Sequence, residues 1–176
     1  MNPPPSLAFF VVMGVAGCGK SSLGEALARA EGLPLIEGDD HHSPESRSKM
    51  RQGIALTDAD REGWLNTLGQ LLQAQGSQGA VLTCSALKRV YRDRLRAACP
   101  GLRFVFLDID RDSAAQRVAA RADTHFFSSA LVDSQFATLE SPVGEPGVLH
   151  LDALLPVPTL QQQASAWIGA KEGARP

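Results

Sequence analysis

The sequence predicts a three-layer α/β/α fold, a five-stranded parallel sheet with helices on both faces, built as one domain over residues 1–176. Three observations carry that prediction. Short apolar runs alternate with segments of helical periodicity, the pattern of strands joined by crossover helices. The first apolar run, Leu7-Ala-Phe-Phe-Val-Val-Met13, is continuous, as in a strand buried on both faces. A chain of 176 residues also matches the usual size of one domain with a substantial core.

Pro3, Pro4 and Pro5 make residues 1–6 a frayed tail before that first strand. Gly14 to Gly19 turns into a helix running from about Lys20 to Ala30, stopped by Gly32 and Pro34. Leu35-Ile36 is a very short second strand, with Gly38-Asp-Asp-His-His42 as its polar exit, followed by a short helix carrying Lys49 and Met50. Acids from Asp58 onward open a helix that places Trp64, Leu65, Leu68, Leu71 and Leu72 at helical spacing and ends near Gly76. Ala80 to Cys84 is the third strand, Lys88 to Ala98 a basic helix halted by Pro100, and Leu102 to Leu107 the fourth strand. Helices at Asp112–Ala122 and Leu131–Glu140 flank a polar break. Val148 to Leu151 is the fifth strand, and a last helix covers about Thr159 to Ile168. Trp64, Phe104 and Phe106 read as core.

Composition narrows the class of partner. Hydrophobic residues are 44% and charged residues 20%, and 17 basic against 19 acidic side chains leave a net charge of -2, which gives no support for a nucleic-acid or membrane-surface binder. Three widely spaced cysteines, Cys18, Cys84 and Cys99, without zinc-like spacing suit reduced thiols and a cytoplasmic protein, with Cys18 a candidate for oxidation. The first apolar run is too short to span a membrane, and no basic residue precedes it as in a signal peptide.

Gly14-Val-Ala-Gly-Cys-Gly-Lys-Ser21 fits GxxxxGK[ST] immediately after a strand, the context of a phosphate-binding P-loop. Glycines let successive N–H groups turn inward at phosphate oxygens, at the positive end of the following helix. The candidate nucleotide-binding residues are Gly14, Gly17, Cys18, Gly19, Lys20, Ser21 and Ser22. Lys20 would reach the β- and γ-phosphates of ATP and Ser21 would hold Mg2+.

In open parallel sheets ligands sit at the carboxyl ends of the strands, and those ends are polar here. Asp39, after the second strand, suits a carboxylate that receives an acceptor hydroxyl's proton or holds magnesium through water; the plain alternative is a turn residue. Ser85 and Lys88 follow the third strand. Lys88 and Arg92, four apart, form either a cationic site for an anionic substrate or a solvated helix face. Arg117 and Arg121 precede the break at Asp123, as expected of a lid closing over phosphate, or equally of an exposed amphipathic helix. His41 and His42 lack a third ligand for zinc.

Several blocks together resemble the short P-loop gluconokinases. They are the P-loop itself; Glu37-Gly-Asp-Asp-His-His42 with Lys49-Met50; Asp58-Ala-Asp-Arg61 with Trp64-Leu65; Cys84-Ser-Ala-Leu-Lys88 with Tyr91-Arg92-Asp93; and His125-Phe-Phe127 with Ser134-Gln-Phe136 and Thr138-Leu-Glu140. The resemblance covers nearly the whole chain. It implies a kinase core like that of nucleoside-monophosphate kinases, a helical lid at about 122–130, ATP and Mg2+ as cofactors, and D-gluconate as acceptor, phosphorylated to 6-phospho-D-gluconate. It further implies Lys20, Asp39 and Arg121 as catalytic residues, and Asp39, His42, Arg61, Lys88, Arg92 and Gln135 as substrate-binding residues. Magnesium would lie on Ser21, with Asp39 acting through water. A cytoplasmic homodimer is the implied assembly. The lid reads Arg121-Ala-Asp-Thr-His125 where Arg-x-Gly-His is usual.

Overall fold

A computed structural model of the chain describes residues 8–121 and 129–173. The predicted tail at 1–6, and the predicted lid apart from residues 129 and 130, lie outside them. The elements in chain order are β1 (Phe9–Met13), α1 (Lys20–Glu31), β2 (Leu35–Glu37), α2 (Pro44–Arg51), α3 (Asp58–Ala74), β3 (Ala80–Thr83), α4 (Arg89–Ala98), β4 (Arg103–Asp108), α5 (Arg111–Ala120), α6 (Ser129–Thr138), β5 (Val148–Asp152) and α7 (Val157–Gly173). Short 3-10 turns at Gly38–His41 and Gly76–Gln78 add to what the sequence pattern shows. α7 starts earlier than predicted because Pro158 falls in its first turn, where a missing N–H costs nothing.

All five strands are parallel in the order β2-β3-β1-β4-β5, so β1 is central and every residue in it is buried. Alternation along β1 assigns the two faces. Phe10 and Val12 pack in one core with Leu23 and Leu27 of α1 and Leu160, Ala164 and Ile168 of α7. Phe9, Val11 and Met13 point the other way, into a core with Trp64, Leu65, Leu68 and Leu72 of α3 and Leu95 of α4. Each such Leu, Val or Phe, fully buried, stabilises the fold by about 1.5–3 kcal/mol relative to exposure. Trp64, Phe104 and Phe106 are buried there as expected.

Helix starts are set locally. Thr57 and Asp60 form a reciprocal capping box at α3, the Asp60 N–H donating to Thr57 Oγ1 (3.1 Å) and the Thr57 N–H to Asp60 Oδ2 (2.9 Å). Asp110 caps α5 by accepting from the Ser113 N–H at 2.8 Å. α1 instead has Gly19 at its N-cap and no side-chain cap, which leaves its first-turn N–H groups to a ligand.

Candidate active site

Gly14, Gly17 and Gly19 all have positive φ (149°, 83° and 96°), the curl a phosphate cradle needs. Two of them are also fixed by space. A Cβ on Gly14 would lie 2.7 Å from Cys18 Sγ and 2.8 Å from the Leu107 carbonyl, and one on Gly17 would lie 2.7 Å from the Ala114 carbonyl. The resulting loop opens on a pocket of about 300 Å3 lined by Gly17, Gly19, Lys20, Ser21 and Ser22 from the loop, with Arg117 and Arg121 closing one side. Lys20 Nζ donates to the loop's own Gly14 and Val15 carbonyls at 3.0 and 3.2 Å. Arg117 donates to the carbonyls of Gly17 (3.3 Å) and Ala153 (3.0 Å), joining the P-loop to the segment after β5. Arg121 caps the end of α5 at the pocket rim.

A second pocket lies on the β3 side of β1. Asp39, His42, Arg61, Ser85, Ser134 and Gln135 contribute its polar lining, and it encloses about 30 Å3, room for about two waters. Lys20 and Asp39 line both pockets. The His42 ring stacks on Trp64 (4.1 Å between centroids), and its Nε2 lies 3.5 Å from Asp39 Oδ1. Trp64 is itself anchored by donating from Nε1 to the Gly38 carbonyl at 2.8 Å. Among the described residues, His42 Nδ1 is the one buried side-chain polar atom without a hydrogen-bond partner. Such a group is costly to leave unsatisfied, and a ligand hydroxyl in this pocket would satisfy it. Gln135, on α6, accepts from the Ala16 N–H at 2.7 Å and so spans the P-loop and the second pocket.

Three predicted site residues sit differently from expectation. Arg92 is fully buried, and all five of its N–H groups are used: on Glu145 (3.1 and 2.6 Å) and on the carbonyls of Ala86 (2.7 Å), Leu87 (3.1 Å) and Glu140 (3.0 Å). It has no donor left for a substrate and belongs to the scaffold. Burial is the largest influence on Glu145 and would raise its pKa, but the hydrogen bonds and charges of Arg92 and Arg96 together outweigh it and hold the carboxyl below its ordinary value. Lys88 lies outside the pocket lining. Its ammonium pairs with Asp58 at 3.0 Å, which raises the Lys88 pKa, while the Tyr91 hydroxyl and then Lys88 lower that of Asp58. Arg61 donates to the same Tyr91 hydroxyl at 3.1 Å and is the cation of this group that lines the pocket. Cys18 does not line the nucleotide pocket. Its thiol is buried, its N–H donates to the Val15 carbonyl at 3.2 Å, and burial raises its pKa, the opposite of what an oxidation-prone thiol needs.

Sequence reasoning assigned no role to Glu37. Its Oε2 accepts from Ser21 Oγ (3.0 Å) and Thr83 Oγ1 (2.6 Å), so the P-loop serine gives its proton away and turns a lone pair outward. The signal was its place two residues before Asp39 at a strand exit.

A family model described as AAA domain matches residues 9–146. A probable gluconokinase of Schizosaccharomyces pombe is 41% identical over 155 residues, covering 82% of this chain and 80% of its own. A gluconokinase of Gluconobacter oxydans is 43% identical over 145 residues, covering 81% of each. This chain belongs to the gluconokinase family. The crystal structure of a gluconokinase from Sinorhizobium meliloti, 46% identical, matches 90% of each chain with a TM-score of 0.82. An unliganded sugar kinase from Janibacter, 38% identical, matches 93% of this chain and 95% of its own with a TM-score of 0.87. An APS kinase of Mycobacterium tuberculosis at 18% identity shares the fold alone. The gluconokinase-family blocks Glu37–His42, Asp58–Arg61, Cys84–Lys88 and Ser134–Phe136 each send at least one residue into the second pocket. His125-Phe-Phe127 lies outside the described residues.

Proposed function

We propose that this gluconokinase-family chain transfers the γ-phosphoryl group of ATP to the terminal hydroxyl of D-gluconate, giving 6-phospho-D-gluconate and ADP. The observation that carries the proposal is that the P-loop pocket and the polar second pocket meet on Lys20 and Asp39. A donor phosphate in one and an acceptor hydroxyl in the other would face each other there, and proximity and charge supply most of the catalysis of phosphoryl transfer. The acceptor oxygen bonds to the γ-phosphorus as the bond to the β–γ bridging oxygen breaks. ADP carries that oxygen away, and Asp39 takes the hydroxyl proton. Lys20 neutralises the β- and γ-phosphates, while Arg121 stabilises the developing charge.

Arg61 is the residue we assign to the gluconate carboxylate, with His42 and Gln135 on the sugar hydroxyls. Magnesium would suit the donor set at the junction: the Ser21 hydroxyl, which donates its hydrogen bond to Glu37, and the Asp39 carboxylate acting through water, both hard oxygens. When bound it supplies charge neutralisation on the phosphates. The assembly we propose is a cytoplasmic homodimer, supported by the family resemblance, and no described helix is long and apolar enough to cross a membrane.

The test is ADP formation with Mg·ATP in a coupled assay, using D-gluconate beside shikimate, AMP and other sugar acids. Turnover confined to gluconate is expected. Turnover confined to another acceptor would replace the substrate, and ATP binding without acceptor-stimulated turnover would remove the kinase activity itself.

A further inference from the structure

Ser85 leaves β3 directly into the second pocket. No described residue bonds its hydroxyl, which stays open to the pocket. The residue after it is unusual: Ala86 has φ 47°, making it the one non-glycine with positive φ among the described residues, and it is buried. Left-handed backbone crowds an alanine Cβ against the following carbonyl, so such a conformation persists only where surrounding structure enforces it.

The enforcing structure is identifiable. Arg92 Nη1 donates to the Ala86 carbonyl at 2.7 Å and to the Leu87 carbonyl at 3.1 Å, and the Glu140 N–H donates to Leu87 as well (2.8 Å). Arg92 is held in turn by Glu145, which also pairs with Arg96 at 2.8 Å. A buried ion pair is a poor route to stability, since apolar residues of similar volume serve at least as well. Here it grips a disfavoured turn, and what that turn delivers to the pocket is one open hydroxyl.

We propose that Ser85 is a specificity-determining residue, its hydroxyl hydrogen-bonding a hydroxyl of the acceptor's polyol chain, and that Arg92 is the positioning residue that aims it through the left-handed turn at Ala86. The proposal rests on the gluconate reading above and deepens it.

Steady-state kinetics and calorimetric gluconate binding test it, with gluconate and a set of monodeoxy gluconates as acceptors. Ser85→Ala is expected to raise the gluconate KM by about 3- to 10-fold, the loss of one neutral hydrogen bond, with the ATP KM unmoved. The rise should vanish for the deoxy analogue that lacks the contacted hydroxyl. Arg92→Lys should also raise the gluconate KM. Adding Ala86→Gly to Arg92→Lys should bring it back toward wild type, because glycine takes the left-handed turn unaided. A purely structural cluster would lower Tm without this KM change and without rescue, and that result would overturn the role of Arg92. If Arg92→Lys does not fold, Ser85→Ala and the deoxy series decide alone. An unchanged gluconate KM in Ser85→Ala would overturn the assignment, whereas a wild-type enzyme inert toward gluconate would sink the underlying reading first and this assignment with it.

Discussion

Gly38→Ala is expected to disable turnover while sparing ATP binding. Gly38 follows β2 and precedes Asp39, and a Cβ placed on it would lie 2.1 Å from the Thr83 carbonyl oxygen. Both sides of that clash are backbone, so no rotamer change relieves it. Opening the contact from 2.1 Å to the 3.0 Å at which Cβ atoms begin to be found requires about 0.9 Å of movement. That shift would pass directly to Asp39 and would also pull on the bond from Trp64 Nε1 to the Gly38 carbonyl. A misplacement of about 1 Å costs about 100-fold in rate, or about 2.7 kcal/mol of transition-state stabilisation. Overpacking should lower stability by about 1–3 kcal/mol as well. The P-loop hangs on β1, so the ATP dissociation constant measured by calorimetry should stay within about threefold of wild type. Gly63→Ala is the control, since a Cβ there meets nothing within 4 Å and lies inside α3. It should be neutral or stabilising by about 0.5–1 kcal/mol. A folded Gly38→Ala enzyme with kcat near wild type would refute the argument that this close approach positions Asp39.

Asp39→Asn should lower kcat by about 100- to 10,000-fold with ATP affinity nearly intact, and near-normal turnover would remove Asp39 from the chemistry. Arg92→Met should lower the unfolding free energy in urea by about 2–5 kcal/mol, because the Ala86 and Glu140 carbonyls lose their Arg92 donor and Glu145 keeps only Arg96; a loss below about 1 kcal/mol would contradict the scaffold role. Asp60 is held at a pKa of about 2, below its usual 3.8, by the Lys49 ammonium and then by the Thr57 N–H. A depressed carboxylate stabilises the fold above its unfolded pKa and loses that contribution as pH falls through the folded one, so Asp60→Asn should flatten the stability curve between about pH 4 and pH 2. Curves for the two proteins that run parallel through that window would remove the effect.

Local signals carried the fold. The continuous apolar run of β1, the acids and threonine opening α3 and the glycine pattern of the P-loop each have a cause within a few residues, and each appears where its sequence predicts. Of the candidate site residues read from the sequence, Lys20, Asp39, His42, Arg61 and Gln135 line one or both of the two pockets. The misreadings are non-local. The spacing of Lys88 and Arg92 suggested a shared substrate face, but Glu145, more than fifty residues later, takes one of them out of reach. Cys18, a candidate for oxidation from its place in the loop motif, is buried because Gly14, lacking a Cβ, lets the thiol pack against it. Nothing in an alanine announces the left-handed turn at Ala86, and nothing in Glu37 announces two hydroxyl donors on one oxygen.

The strand order explains why these residues divide as they do. From β1 the chain crosses to β2 at one edge, returns to β3 beside β1, then moves past β1 to β4 and β5. The exits of β2 and β3 therefore fall on one side of the P-loop, and they bring Glu37, Asp39 and Ser85. The exits of β4 and β5 fall on the other side, where Arg117 of α5 bonds the Ala153 carbonyl beyond β5 and closes the nucleotide pocket. Such a reversal leaves a crevice at the carboxyl end of the central strand, because the loops on its two flanks diverge. The P-loop fills the floor of that crevice, and Lys20 is the one side chain of the floor that reaches the lining on both sides. An acceptor held by the β2–β3 side and a nucleotide held by the β4–β5 side would then meet across Lys20 and Asp39. That geometry suits phosphoryl transfer between two separately bound molecules, and it leaves the choice of acceptor to the handful of side chains on the β2–β3 flank together with Ser134 and Gln135 of α6.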